Sequence, residues 1–410
     1  MLSQTVKIYT SIKKQATIPL FIFGVYLMVA VIAALLKISI DLHHTEPGYI
    51  SKVNNFIVYR NSFYHLIHHT ELYGFMPAEQ ADQFMYSPTF AILFAPFALL
   101  PKYVGVVIWC IFNSLILFFA IRLLQLDEGK KAFIYWFILV DLVSTIQNVQ
   151  ANPLVCALFV LTFVAFERKQ IAFAALFVSI SFFIKIFGVM GAALFLLYPG
   201  RLKFIGWTVL WSALLFLLPL CIISLKELSN YYQCWYDVMK EIHIQYTDNI
   251  YISVMRMIEG VRGIKLSNAA RYMIQLGAFA VFCIKYLNYK MFDSVQFRLS
   301  VLSSIMIWCI IFNHAAESNH YIIAITGVAI WYVNGNKYKT DLALLIFAFV
   351  LSLTSSYFFP SYLRERYVVP LALKSLPFLF IWLKLEYNLI FFSKVRGMTA
   401  WENKLLNVND

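Results

Sequence analysis

VNNFIVYRNSFYHLIHHTELYGFMPAEQADQFMYSPTFAILFAPFALLP, residues 53–101, is the least membrane-like stretch in the first half of the chain, and the fold turns on how it is read. Val53, Phe56, Ile57, Phe63, Tyr64, Ile67 and Leu72 recur at close to helical spacing, with Asn54, Arg60, His65, His68 and His69 between them. That pattern predicts an amphipathic helix lying at a membrane surface. Downstream, only about twelve residues separate Pro88 from Pro101, whereas a helix that crosses the hydrocarbon needs about twenty. This second piece is expected to dip into the bilayer or lie flat on it.

The rest of the chain is far more apolar. Of its 410 residues, 61% are hydrophobic, 18% aromatic and 13% charged, and the mean hydropathy is +0.73. These proportions exclude an ordinary soluble domain and predict an all-α polytopic membrane protein. A net charge of +12 would suggest nucleic acid in a soluble protein. Here Lys and Arg collect between apolar segments, where anionic headgroups and topology account for them. Tracking phosphates along a nucleic acid needs a continuous basic surface, so membrane lipids are the expected partners and nucleic acid is not. Cys110, Cys156, Cys221, Cys234, Cys283 and Cys309 show no metal-ligand spacing and are read as small core residues. No cleavable signal is expected, because residues 18–37 are long enough to span and no small-residue cleavage site follows.

Lys7, Lys13 and Lys14 precede that first span, so the positive-inside rule puts the N-terminus in the cytoplasm and residues 38–88 outside. Further spans are expected at 104–124, 132–147, 153–166, 171–184, 187–199, 204–224, 268–288, 295–315, 320–334, 340–357 and 369–387. If residues 89–100 do not cross, Arg122, Lys130, Lys131, Arg168, Lys169, Arg201, Lys203, Lys285, Lys290, Lys337, Lys339, Lys394 and Arg396 all face the cytoplasm. The short loops around Gln150 and Asn319 then face out and carry no Lys or Arg. Were the segment to cross, the next clusters would be inverted. The charge pattern therefore predicts about twelve transmembrane helices with both termini inside. The expected organisation is a cytoplasmic N-terminus (1–17), a single transmembrane domain (18–390) and a cytoplasmic tail (391–410).

Two long external loops result, 38–103 and 225–267, the second carrying Trp235, Tyr236, Tyr246, Tyr251, Arg256 and Arg262. Long loops with amphipathic segments of their own are more often functional than mere connectors, and these two are placed to roof a cavity at the outer face. No internal repeat of the kind found in many transporters is evident.

At this point the residues resemble a family. NNFIVYRNSFYHLIHHTELY, then MYSPTFAILFAPFALLP running into VIWCIFNSLILFFAIRLL, are similar to the opening of glycosyltransferase family 87. That opening reads DF-x-VY-x-A-x-x-L-x-x-G-x-x-LY, followed by Y-x-P-L-x-A-L-L-x-x-P-x-x-LP. QNVQANPLVCALFVLTFVAFERKQIAFAALFVSISFFIKIFGVMGAALFLLYPGR looks like the family's GQ-x-N segment and its lysine-bearing helical hairpin, and NHYIIAITGVAIWY like its HHY stretch. The resemblance runs in order over about residues 53–335. It implies a GT-C-like fold with amphipathic juxtamembrane helices in the first external loop. It also implies a hexosyltransferase, with mannose suggested by analogy with the family, that takes sugar from a polyprenyl-phosphate donor to a glycan or glycolipid acceptor. The expected location is the cytoplasmic (inner) membrane, with the site on the external side. A transporter or flippase for a lipid-linked glycan, or a non-catalytic binding subunit, is the competing reading.

Inverting transfer from a lipid phosphate needs a base for the acceptor hydroxyl and cationic or hydrogen-bonding groups for the departing phosphate. The family's base is an aspartate before the Phe of DF-x-VY. The matching residue here is Asn55, whose carboxamide cannot accept that proton at neutral pH. Carboxylates on the same side are Asp41, Glu46, Glu71, Asp82 and Glu317, of which Asp41 and Glu317 are the expected catalytic residues and Glu71 and Asp82 are read as solvated. For the phosphate, Lys185 interrupts the apolar run 171–198 and is costly at membrane depth without water, a partner or an anionic ligand. By resemblance it matches the lysine of the family hairpin; snorkelling at a helix break is the other reading. Arg364 and Arg366 can bind phosphate or anchor at the interface, and Arg60 can meet donor phosphate or headgroups.

Asn55, Tyr59, Gln150, Asn152 and His320 are the expected sugar and acceptor contacts; the amides Gln147, Asn148, Gln150 and Asn152 can also satisfy free backbone groups at a helix end. His320, with His314 and Glu317, is expected either to line the cavity or to pack at a helix end. His65, His68 and His69 have the spacing to hold a metal on one helical face, but only Glu71 lies near enough to complete a ligand set, and no metal or other cofactor is expected. Asp141 falls within an apolar span and must have a polar partner or face a wet cavity; Asp237 is also notable.

Overall fold

The computed structural model describes residues 17–43, 50–244, 251–355 and 359–391. Lys7, Lys13, Lys14, Glu46, Tyr246, Lys394 and Arg396 lie outside them. Helices carry the architecture. Among the described residues there is no strand, only an isolated antiparallel bridge between Tyr251 and Glu317.

The first half of the chain alternates long apolar helices with short polar turns. Its helices are α1 (Pro19–His43), α2 (Asn54–Ile67), α3 (Pro88–Leu93), α4 (Ala95–Ala98), α5 (Lys102–Arg122), α6 (Glu128–Gln147), α7 (Asn152–Glu167) and α8 (Ile171–Ile184). A 3₁₀ segment, Ile186–Leu197, follows, then α9 (Arg201–Leu217). The second half adds α10 (Leu225–Ile244), α11 (Val254–Arg262), α12 (Asn268–Ile284), α13 (Val295–Ile311), α14 (Tyr321–Asn334), α15 (Lys339–Ser352) and α16 (Ser375–Ile390). Three stretches, Pro19–His43, Lys102–Arg122 and Arg201–Cys221, are long and apolar enough to cross a membrane; α7, α8, the 3₁₀ segment and α13 are shorter apolar elements. The chain therefore has the make-up of a membrane protein.

Residues 88–98 fold as two short helices of six and four residues. At about 1.5 Å per residue they reach roughly half-way through a hydrocarbon layer of about 30 Å. They pack against α2, whose inner face (Phe56, Val58, Tyr59, Phe63 and Leu66) is buried. The Tyr59 ring meets Tyr86, Phe90, Phe94 and Trp109 at 5.0 to 6.1 Å between centroids, edge to face. The helix expected at the surface thus has one face built into an aromatic core, and that core fixes where its polar first turn points.

Chain direction sorts the turns into two ends. Asp41 at the end of α1 meets Lys102 and Tyr103 at the start of α5, and the α6–α7 turn, the α8 break and the loop before α14 come to that same end. At the other end, Arg122 pairs with Glu128 at 2.5 Å. There Glu167 also accepts from Arg298 at 2.6 and 2.9 Å and from the Tyr198 hydroxyl at 2.5 Å.

Two readings from sequence are corrected here. Lys285, expected among the basic groups that face the cytoplasm, is instead fully buried and pairs with Glu386 at 2.8 Å while donating to Ser304 at 2.6 Å. Its chain neighbours, Ile284 and Tyr286, offer no carboxylate, and a partner 101 residues away could not be inferred from them. The cysteines also divide: Cys110, Cys156 and Cys309 are buried, but Cys221 and Cys283 are exposed on helix surfaces.

Candidate active site

Three segments meet at the end of the molecule that carries the α8 break. The first is the Tyr86–Thr89 corner. Ser87 caps α3 by accepting from the Phe90 N–H, and its hydroxyl donates to the Phe183 carbonyl at 2.5 Å. Thr89 donates to the Leu215 carbonyl at 2.7 Å. The corner is thereby stitched to α8 and α9.

Lys185 itself lies between α8 and the 3₁₀ segment in an extended conformation, φ −145° and ψ 124°. Here the chain reverses: Gly188 comes back against Ser181, and Gly191 faces Val178. A Cβ at Gly188 would stand 2.2 Å from the Ser181 hydroxyl and 2.6 Å from its carbonyl carbon and oxygen, so only glycine permits so close an approach. The hairpin holds Lys185 at its tip, with Nζ 5.4 Å from the centre of the Tyr86 ring.

The third segment, Glu317–His320, is held by a reciprocal cap. The Glu317 carboxylate accepts the His320 N–H, and His320 Nδ1 accepts the Glu317 N–H at 2.8 Å. Residues 251 and 252 of the second long loop bridge to it, with Ile252 N–H donating to the Ala316 carbonyl at 2.6 Å. From below, Lys374 donates to Ser318 Oγ at 3.2 Å and pairs with Asp141 at 3.2 Å. Asp141 thus has the polar partner that its place in an apolar helix demands.

His320 Nε2 lies 2.7 Å from Lys185 Nζ. Because Nδ1 accepts a backbone N–H, a neutral ring carries its proton on Nε2, and that N–H is satisfied only by an uncharged lysine amine. A protonated Lys185 must turn away from His320 towards another acceptor, and an anion is the natural one. Burial pushes the amine down to about 8, against the pull of Glu317. Burial also raises the Glu317 carboxyl, with Lys185 opposing and Asp82 reinforcing that shift.

A line of amides extends from this group. Asn55 Nδ2 donates to the Asn148 carbonyl at 2.8 Å, and Asn148 Nδ2 reaches Asn319 Oδ1 at 3.2 Å. On the other side, Asn54 accepts the Ala81 N–H and donates to Asp82 Oδ2 at 2.7 Å. Gln150 Oε1 and both amide atoms of Asn152 are buried without a hydrogen-bond partner. Each such group costs about 1–3 kcal/mol, which water or a ligand rich in hydroxyls would recover.

Comparison with known families bears on this arrangement. A model of glycosyltransferase family 87 matches residues 84–312, more than half of the chain. The chain belongs to glycosyltransferase family 87. No curated protein matches it. Within the matched stretch lie Tyr86, Asn148, Gln150, Asn152 and Lys185; Asn54, Asn55, Asp82, Glu317 and His320 lie outside it, so their places rest on geometry.

The remaining candidates of this family 87 glycosyltransferase go elsewhere. Asp41 accepts from Ser51 Oγ (2.6 Å), Lys52 N–H (2.9 Å), Lys102 Nζ (3.1 Å) and Tyr103 OH (3.1 Å), tying α1 to α5. Arg60 donates to the Ala98 carbonyl at 3.2 Å and lines a separate cavity of about 360 Å³ with Ile57, Asn61, Glu79 and Lys102. Arg364 pairs with Glu365 at 3.2 Å, and Arg366 lies 5.8 Å from the Tyr362 and Tyr367 rings. The three histidines diverge: His65 meets Glu79, His68 stacks on Tyr64, and His69 meets Glu227 on α10. That last contact, with Tyr231 OH donating to the Thr70 carbonyl at 2.7 Å, joins the two long loops. Sequence reasoning passed over Asn54, Tyr86, Asn319 and Lys374. A lysine heading the last apolar run was the one usable sign of Lys374.

Proposed function

We propose that this glycosyltransferase moves a hexose, with mannose the first candidate by family resemblance, from a polyprenyl-phosphate donor to a lipid-linked or cell-surface glycan, inverting the anomeric centre. The observation that carries the reading is the Lys185 amine at the tip of its hairpin, 2.7 Å from His320 Nε2. A departing polyprenyl phosphate gains negative charge as the anomeric C–O bond breaks, and an ammonium that strengthens its contact at that moment lowers the barrier. His320 Nε2–H, released when Lys185 turns to the phosphate, supplies a second donor. Asn55 and the unpartnered atoms Gln150 Oε1, Asn152 Oδ1 and Asn152 Nδ2 offer hydrogen bonds to sugar hydroxyls; Tyr59 is fully buried with its hydroxyl on Tyr86 at 2.8 Å and stands behind them. The basic turns Arg122, Lys130, Lys131, Arg168 and Lys169 gather at the opposite end, which supports a cytoplasmic placement for that end and an external site in the cytoplasmic membrane.

The test is transfer of radiolabel from a panel of polyprenyl-phosphate sugars to total membrane lipid by the purified full-length protein. Transfer that falls by about two orders of magnitude in Lys185→Ala supports the reading. Undiminished transfer in that variant refutes the phosphate site. Binding of donor without transfer, with acceptor lipid supplied, would favour a transporter or binding subunit.

A further inference from the structure

Transfer to a hydroxyl needs a group to take its proton, and the carboxylates at the site end are unequally free to do so. Asp41 accepts four hydrogen bonds. Glu79 is paired with His65, and Glu227 is paired with His69 and bonded to Ser224. Glu317 is committed to its cap on the His320 N–H. Asp82 and Glu71 are both exposed, but Asp82 is the one tied to α2, accepting from Asn54 Nδ2 at Oδ2 over 2.7 Å while its other oxygen stays open.

Asp82 is nonetheless held in place. Asn54 is buried and bonded on both amide atoms, to the Ala81 N–H and to Asp82, so it fixes loop 81–82 against the first turn of α2. The adjacent Asn55 bonds to Asn148, and Asn148 to Asn319, which stands between Glu317 and His320. This line of amides runs from Asp82 to the loop that contacts Lys185. The charge of Asp82 is felt at Glu317 itself.

On the reading that Lys185 receives the donor phosphate, we propose that Asp82 is the general base for the acceptor hydroxyl. In the step, the hydroxyl proton passes to the Asp82 carboxylate while the acceptor oxygen bonds to the anomeric carbon. The bond from that carbon to the phosphate oxygen breaks, and its electron pair leaves with the polyprenyl phosphate beside Lys185. Asp82 then returns the proton to water. Asn54 is a positioning residue.

The experiment measures single-turnover transfer and donor affinity for the full-length protein in nanodiscs, using the polyprenyl-phosphate sugar that it turns over. Asp82→Asn keeps an acceptor for Asn54 Nδ2 but loses the base, so a merely structural role would survive it. A transfer rate lower by about 100-fold or more, with donor affinity unchanged and partial recovery in Asp82→Glu, supports the proposal. A rate within about threefold of the parent overturns it. So does an equal loss in Asn54→Ala and Asp82→Asn together with weakened donor binding, which would make Asp82 a loop anchor. Loss in Lys185→Ala without loss in Asp82→Asn removes the base and leaves the donor site standing. Loss in Asp82→Asn with Lys185→Ala unchanged keeps the base and removes the phosphate reading.

Discussion

An amine pushed down to about 8 at Lys185 sets an alkaline limit on donor capture. The ammonium form binds phosphate, so kcat/KM for the donor falls as pH rises through about 8. Lys185→Arg, charged at every working pH, should flatten that limb, even if it also lowers the plateau. Rates measured from pH 6 to 10 decide the point; identical limbs in both proteins would dissociate Lys185 from the phosphate. The same shift has a stability consequence of opposite sign to the usual salt-bridged case. The unfolded chain keeps the lysine proton up to its ordinary value of about 10.4, whereas the folded chain releases it near 8. Stability therefore rises with pH between those values. Lys185→Met removes the burial penalty on the charged amine and should raise the melting temperature at pH 7 while abolishing transfer. A thermal melt at pH 7 beside an activity assay reads both.

Two local elements bear on how firmly that site is held. Gly188→Ala would force a Cβ into Ser181 and open the hairpin, at a cost of about 1–3 kcal/mol. Because Lys185 sits at the tip, activity should fall further than the melting temperature alone explains. Val149 closes α6 in a left-handed conformation, φ 54°, which a β-branched residue adopts only at a cost of about 1–2 kcal/mol. It is held there by Trp109 Nε1, which donates to its carbonyl at 3.1 Å. Val149→Gly should raise thermal stability slightly and loosen the neighbouring Gln150 and Asn152; an unchanged melt would show that packing of the valine offsets its strain. These elements also mark the limit of what sequence discloses. Lys185 was legible because a charge inside an apolar run demands a reason, and the short Pro-bounded 88–98 segment because its length forbids crossing. The pairing of Asn54 with Asp82 across 28 residues, or of Asn148 with Asn319 across 171, was not. Single polar residues in polar loops carry no periodicity that names a partner, and Asp82 accordingly read as solvated.

Across the whole molecule, α16 acts as a fastening. Lys374 stands at its N-terminal cap and Glu386 near its C-terminal end, the reverse of what the helix dipole favours. Tertiary partners override it: Lys374 pairs with Asp141 at one end and Glu386 with Lys285 at the other. Removing one partner from a buried pair costs about 3–5 kcal/mol, whereas replacing both with apolar groups is close to neutral. Glu386→Gln should therefore lower the melting temperature sharply, and the double variant Lys285→Met with Glu386→Leu should recover most of the loss. Failure of the double variant to recover would assign the damage to Ser304, which also bonds Glu386. The separations in sequence matter as much as the distances in space. Asp141 waits 233 residues for its counter-ion and Lys285 waits 101. During synthesis each enters the lipid, or is shielded by the insertion machinery, as an uncompensated charge. Both are relieved by the same late segment. Biogenesis should accordingly have a checkpoint: nascent chains released before Glu386 remain clients of quality control, and the protein matures only once α16 arrives.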